Sequence, residues 1–429
     1  MDQIQIESLA NGVEGCHIQT AQFKTSRISI NLFLPIQETD VCANALLAGL
    51  LTRASADYPD FTHLNQRLNE LYGATLFGDV MKFGDMQIVK FVINVLDDCY
   101  TLGGEKISQD AAELLLSMIF TPPLQNGLFS EQDFESEKRL LIEQINGEIN
   151  DKRRYAITKT ESALYQGEPS GISRYGDIKD AENLTNAQAV AAWKAMLQNA
   201  FVRVNIVSST APDAVYQKIK EYFAPLDRNA QKIDVTKKHA GRQDVLKLEE
   251  HMNVTQAKLC MAFAVSGMDD AKDKDAVRVM TDMFGGGPYS KLFANVREKQ
   301  SLCYYCAARP NFQKATILVD SGILEENRQK AIDGILQQLK EMQNGNFSED
   351  DLAASKMALT DSARTVCDSP ADLDTWYALR IFENDPGIET FIGRVNSVSK
   401  EDVQRAANAV TLDTVYFLGT NGNEGGANQ

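Results

Sequence analysis

From residue 27 to 34 the chain reads Arg-Ile-Ser-Ile-Asn-Leu-Phe-Leu, apolar at every second position, which is the period of a strand with one face buried. Residues 257–265 (AKLCMAFAV) form a second apolar run of strand length. Residues 111–120 and 331–342 instead place apolar side chains three and four apart, the period of an amphipathic helix. After each of these helices the chain repeats itself. Asn126-Gly127-Leu128-Phe129-Ser130-Glu131-Gln132-Asp133 returns as Asn344-Gly345-Asn346-Phe347-Ser348-Glu349-Asp350-Asp351, and Lys138 and Lys356 keep the same offset of 218 residues. A Ser followed by acids predicts an N-cap and the first turn of a long helix in both copies. Each half closes with a Ser/Thr-capped helix and then a strand: 185–197 with 202–207, and 399–409 with 414–418.

Residues 224–244 are polar, charged and aperiodic, and predict a linker. The pattern therefore predicts an α+β protein of two homologous domains, 1–223 and 245–429. Each would be a mostly antiparallel, half-exposed sheet packed with helices. A period above 200 residues is too long for a solenoid.

Composition narrows the function. Of 429 residues, 44% are apolar and 24% charged, as in ordinary globular proteins. Lys+Arg 43 against Asp+Glu 59 leaves a net charge of −16. That balance argues against nucleic acid, whose phosphates call for a basic surface. The N-terminal sequence shows no basic stretch followed by an apolar core, and no apolar run approaches the ~20 residues of a membrane span. Seven scattered cysteines make no disulfide framework, and a cytoplasmic location is expected.

The usual hydrolytic motifs are missing. The four histidines, His17, His63, His239 and His251, never stand four apart, so neither H-x-x-E-H nor its relatives occur. His63 and Glu70 share a helix face two turns apart and read as a solvated face. There is no nucleophile elbow, no phosphate loop and no dinucleotide fingerprint. Cys303 and Cys306 form a lone C-x-x-C. On a regular strand they would face opposite sides, which argues for two incidental thiols. The acids at 269, 270, 273 and 275 lack the Gly and terminal Glu of a calcium loop. Gly285-Gly286-Gly287-Pro288-Tyr289-Ser290 precedes a helix carrying Arg297. It reads either as a tight helix junction or as a loop over which a bound chain lies.

Gly285-Gly286-Gly287-x-x-Ser290-x-Leu292-Phe293, then Val296-Arg297-Glu298-Lys299-x-x-Leu302-x-Tyr304, resembles the C-terminal motif of the pitrilysin/insulinase metallopeptidases, the family that includes the mitochondrial processing peptidase. The resemblance spans essentially the whole chain and is closest to the YmfF-like, non-catalytic branch. Tyr58-Pro59-Asp60-Phe61 and Leu71-Tyr72-Gly73-Ala74 also fit that branch. It implies the metallohydrolase fold shared by LuxS and the processing peptidase. Peptide-cutting members carry H-x-x-E-H on a first-domain helix, two His for zinc and a Glu to activate water. Aligned on Arg53-Ala54-Ser55, those positions fall on Ala45, Ala48 and Gly49, and the third ligand falls on Gln144, seven residues after Glu137. Glu143 is one residue off, about 100° round the helix. The resemblance thus implies a degenerate zinc site with no metal on this chain. Arg297 and Tyr304 match the pair that holds the substrate backbone, with Gly285, Gly286 and Gly287 beside it.

Three functions follow from the resemblance. The leading one is a proteolytically inactive subunit of a heterodimeric zinc peptidase. It binds unfolded peptide and supplies Arg297 and Tyr304 to a paralogous partner that bears H-x-x-E-H and the zinc. The second is a homodimeric clamp that binds peptide without cutting it. The third is a metallopeptidase with a divergent ligand set, to which four scattered histidines lend little.

Overall fold

The computed structural model describes residues 3–230, 237–383 and 385–420. The first half of the chain runs β1 (Gln3–Ala10), β2 (Val13–Gln19), β3 (Thr25–Pro35), α1 (Val41–Leu50), α2 (Phe61–Glu70), β4 (Thr75–Phe83) and β5 (Met86–Leu96). Then come α3 (Ile107–Phe120), α4 (Glu131–Gly147), α5 (Lys152–Leu164), α6 (Ile178–Asn183), α7 (Asn186–Asn199), β6 (Phe201–Ser208) and α8 (Asp213–Phe223). The second half runs β7 (Leu246–Met252), β8 (Ala257–Val265), α9 (Ala271–Gly285), a π-helix (Leu292–Lys299), β9 (Cys303–Asn311) and β10 (Thr316–Ile323). It ends with α10 (Arg328–Gln343), α11 (Glu349–Thr365), α12 (Pro370–Ala378), α13 (Ile388–Ser397), α14 (Lys400–Asn408) and β11 (Val410–Thr420).

The described chain divides into two compact units, and neither is continuous in sequence. The first holds residues 1–146, 172–235 and 365–386; the second holds 147–171, 236–364 and 387–429. Helix α12 thus belongs with the first sheet and α5 with the second. Of the linker expected at 224–244, residues 231–236 lie outside the described residues.

In the first unit six strands lie in the order β1-β2-β6-β3-β5-β4, antiparallel except for the β2–β6 pair. Ile28, Ile30 and Leu32 of β3 pack into one large core with α1, α3, α7 and α8. The sheet is not half-exposed, however. Every β3 residue from Ser26 to Leu34 is buried, because α12 covers the polar face formed by Arg27, Ser29 and Asn31.

In the second unit five strands lie in the order β7-β11-β8-β10-β9, antiparallel except for β7–β11. Here α5 covers the sheet face opposite α9 and α14, burying Ala156 against Cys260, Tyr416 and Leu418. The internal repeat is structural. Ser130 and Ser348 accept from the backbone N–H of Asp133 and Asp351 at the starts of α4 and α11. Lys138 and Lys356 each donate to a backbone carbonyl, Leu184 and Asn396, just before the next capped helix. Thr185 and Ser399 both form capping boxes.

Candidate functional site

In the first unit Ala45, Ala48, Gly49 and Gln144 line one recess of about 160 Å³, with Gly78, Asp79, Val80, Glu137, Leu140, Leu141 and Tyr175. Three elements make it. Helix α1 is buried at nearly every position and presents the short side chains 45, 48 and 49. Helix α4 turns Glu137 and Gln144 to the same side, two turns apart. Strand β4 comes in close because residue 78 is glycine: a Cβ there would stand 2.0 Å from the Ala48 carbonyl oxygen. A lone Gly inside a strand pattern is the sequence signal for such an approach.

The polar groups of the recess already have partners. Glu137 pairs with Arg53 at 2.6 Å, and Asp133 pairs with the same guanidinium at 2.9 Å. Burial works against the charge on Arg53, but Glu137 and Asp133 outweigh it and hold its proton more firmly than usual. The Glu137 carboxylate presses on Gly49, where a Cβ would come within 2.1 Å of Oε2. Gln144 Nε2 donates to the Tyr175 hydroxyl at 2.5 Å. Glu143 lies off this face, 62% exposed in its side chain, with Arg139 at 3.9 Å as its ion-pair partner.

These groups do not suit zinc. The metal takes three protein ligands from His, Cys or acid, with a position left for water. The recess offers methyl groups, a hydrogen, a carboxamide and two carboxylates, of which Glu137 is already spent on Arg53 and Asp79 accepts from the Val80 backbone N–H. Among the described residues no group of three or more His, Cys, Asp or Glu is placed to hold a metal ion. His63 bonds Asp60 at 2.8 Å on an exposed helix, as a solvated face should.

The other candidates lie in the second unit. Gly285 ends α9 against β9, where a Cβ would meet the Ala308 backbone nitrogen at 2.6 Å. None of the three glycines has a positive φ, so close approach rather than left-handed backbone is what Gly285 supplies. Tyr289 donates to Asp282 at 2.8 Å and ties the loop back onto α9. Burial raises the Asp282 carboxyl above its ordinary value and also lifts the Tyr289 hydroxyl. Arg297 sits on the π-helix, a widened turn that is rare and frequent at functional sites. Its guanidinium lies 4.4 Å from the Phe293 ring centre and 3.4 Å from Glu298. Tyr304 stands 58% exposed on β9, an edge strand of its sheet.

One expectation fails here. Cys303 and Cys306 do not face apart. Cys306 pairs with Ser321 and Tyr305 with Gly322, but Cys303 pairs with Ile323, so Tyr304 is an extra residue in a bulge. The bulge cancels the alternation and brings the two thiols to one side of the strand, near enough to shift each other's acidity. Nothing in the sequence marks it, since no glycine sits there.

Two α+β units with helix-packed sheets define the class, and solved structures share it. A protease from Helicobacter pylori matches with a TM-score of 0.80 at 15% identity, over 97% of this chain and 100% of that one. A peptidase M16 inactive domain from Pseudomonas fluorescens matches at 0.77 and 16%, over 97% and 98%. A conserved protein from Enterococcus faecalis V583 matches at 0.90 and 25%, over 98% and 100%. Residues 183–359 match the model of the peptidase M16 inactive domain. The "Probable inactive metalloprotease YmfF" of Bacillus subtilis (strain 168) is 29% identical over 97% of this chain and 98% of its own. An "Uncharacterized zinc protease" of Rickettsia felis is 19% identical over 42% of this chain and 43% of its own. The chain is thus similar to YmfF over nearly its whole length and to the peptidase M16 inactive domain over residues 183–359. No helix among the described residues is long and apolar enough to cross a membrane.

Proposed function

We propose that this chain is the inactive subunit of a heterodimeric zinc peptidase. It binds an unfolded peptide in extended form and presents Arg297 and Tyr304 to the metal of a paralogous H-x-x-E-H partner. The observation that carries this reading is the recess of the first unit, which lies against β4. That strand is at one edge of its sheet, with one row of backbone N–H and C=O groups unpaired by any strand among the described residues, and Gly78, Asp79 and Val80 line the recess from it. An extended peptide can add to such an edge through main-chain bonds and drop a side chain into the adjoining space. Arg297 brings a fixed fork of donors and Tyr304 one hydroxyl, suited to a carbonyl whose oxygen is gaining charge.

The test is reconstitution. The purified chain, a zinc-bearing paralogue and their mixture are assayed on an unfolded reporter peptide. Cleavage is expected only from the mixture, and Arg297→Ala or Tyr304→Phe in this chain should lower kcat by ~10²-fold or more. A mixture no faster than the paralogue alone would sink the heterodimer. Peptide binding by this chain alone as a dimer of itself, without such a gain, would favour the homodimeric clamp.

A further inference from the structure

Cys303 and Cys306 stand at the start of β9, an edge strand bonded on one side only. Their surroundings differ. Cys303 is partly open to solvent, whereas Cys306 is 6% exposed. The hydrogen bond from Cys306, opposed by burial and helped by the charge of Arg297, holds the Cys303 thiol below its ordinary value. The return half of that bond, with burial, pushes Cys306 well above it. Cys16, Cys42 and Cys260 are different: burial pushes them to about 11, about 11 and about 12. An accessible, acidified sulfur beside a buried, protonated one is an attacking and a resolving thiol in the making.

We propose that Cys303 and Cys306 are a redox-modification site, a dithiol that a hydroperoxide converts to a reversible disulfide. The Cys303 thiolate attacks the peroxide and displaces hydroxide, leaving a sulfenic acid. The Cys306 sulfur then attacks the sulfenic sulfur, the S–O bond breaks, and water departs with the Cys306 proton. Each sulfur gives up one electron, and with hydrogen peroxide the O–O bond becomes two waters. Closing the disulfide draws residue 303 toward 306 and needs backbone movement, which the strand end offers. Cys303 is the first residue of an edge strand, paired only with Ile323 at the end of β10. Ser301, two residues earlier, holds a φ of +52°, a left-handed bend that a non-glycine residue enters under strain. Tyr304 lies inside the closing ring and must move. The thiol chemistry stands apart from the peptide-binding reading; only its consequence for Tyr304 rests on it.

The full-length protein is treated with hydrogen peroxide, free thiols are alkylated, and peptides are mapped by mass. The expected product is a peptide spanning 303–306 that has lost two hydrogens, resists alkylation and is restored by dithiothreitol. Cys306→Ser should stop the reaction at a sulfenic acid on residue 303, captured by dimedone. Cys303→Ser should leave Cys306 reduced. The proposal fails if both cysteines stay alkylatable at doses that oxidise exposed Cys99, or if Cys303 goes on to sulfinic acid without linking. Peptide affinity measured on both forms should fall at least tenfold on oxidation. Equal affinity in the two forms would refute the coupling to Tyr304, and no binding by the reduced form would refute the peptide reading; the mapping decides the disulfide in either case.

Discussion

The two sheets solve one problem with opposite charges. Each has a polar face covered by a helix from the other half of the chain. In the first unit the sheet brings cations: Arg27 and Lys90 meet Asp374 of α12 at 2.8 and 2.6 Å, and Ser29 and Asn205 donate to the same carboxylate. In the second the sheet brings an acid: Asp320 meets Arg153 of α5 at 2.5 Å and Arg309 at 3.2 Å. The first cluster is dry, with Asp374 fully buried, whereas the Arg153 side chain is 42% exposed. Burial pushes the Asp374 carboxyl up, but Lys90 and Arg27 outweigh it and keep it below its ordinary value. The reversal of sign gives each helix one compatible sheet. Asp374 on the acidic face, or Arg153 on the basic one, would bury like charges together. Exchanged segments are kept apart by charge, where apolar packing alone discriminates poorly.

The largest expected effect comes from Asp374→Asn. It keeps the shape and strands two buried cations, at a cost of about 3–5 kcal/mol. The only two tryptophans, Trp193 and Trp376, both lie in the first unit, so their fluorescence follows that unit's unfolding in denaturant. The fluorescence midpoint should drop sharply. Arg153→Ala should cost less, about 1–2 kcal/mol, because Asp320 keeps Arg309. Hydrogen exchange should report that loss in β8 and β10 while β3 and β5 stay protected. Equal penalties for the two substitutions would mean that dryness is not what sets them apart.

The smallest effect is a divergence with pH. Burial, opposed by bonds with Ser208 and Thr210, lowers His17 in the first unit below 6.5. Its share of stability is present above 6.5 and is lost as pH falls toward the lowered value. His239 in the second unit is raised by its bond with Asp413, against burial and with help from Glu168. Its share is full below 6.5 and is lost as pH rises through the raised value. Between pH 5 and 8 the first unit should therefore gain protection and the second lose it. Drift in the same direction would contradict one of these assignments, and His239→Gln should flatten the second.

Much of this fold is legible in the sequence, because the repeat carries its own caps. The two Ser-acid starts, the two lysines 218 apart and the strands at 27–34 and 257–265 all find their structural counterparts. The recess is legible as a set: residues 45, 48, 49 and 144, aligned without coordinates, line one space. What escaped was the partnership of α5 and α12. Helix α5 buries only Ala156, Thr160 and Leu164, a stripe too thin and small to announce a sheet beneath it. Its specificity lies in Arg153, and a charged residue in a sequence does not say which buried acid it will meet. The bulge at Tyr304 was invisible for a similar reason. Alternation is a sound rule until one unmarked residue breaks register.

The donated helices also bear on how the chain is made. Strand β6 completes the first sheet at Ser208, yet Asp374 lies 166 residues later. At ~5–20 residues per second, the ribosome needs on the order of ten to thirty seconds to deliver it. Through that interval Arg27 and Lys90 wait on an uncovered face, and water rather than protein must solvate them. The first unit cannot be finished during synthesis of its own strands; it waits for a helix encoded after most of the second unit.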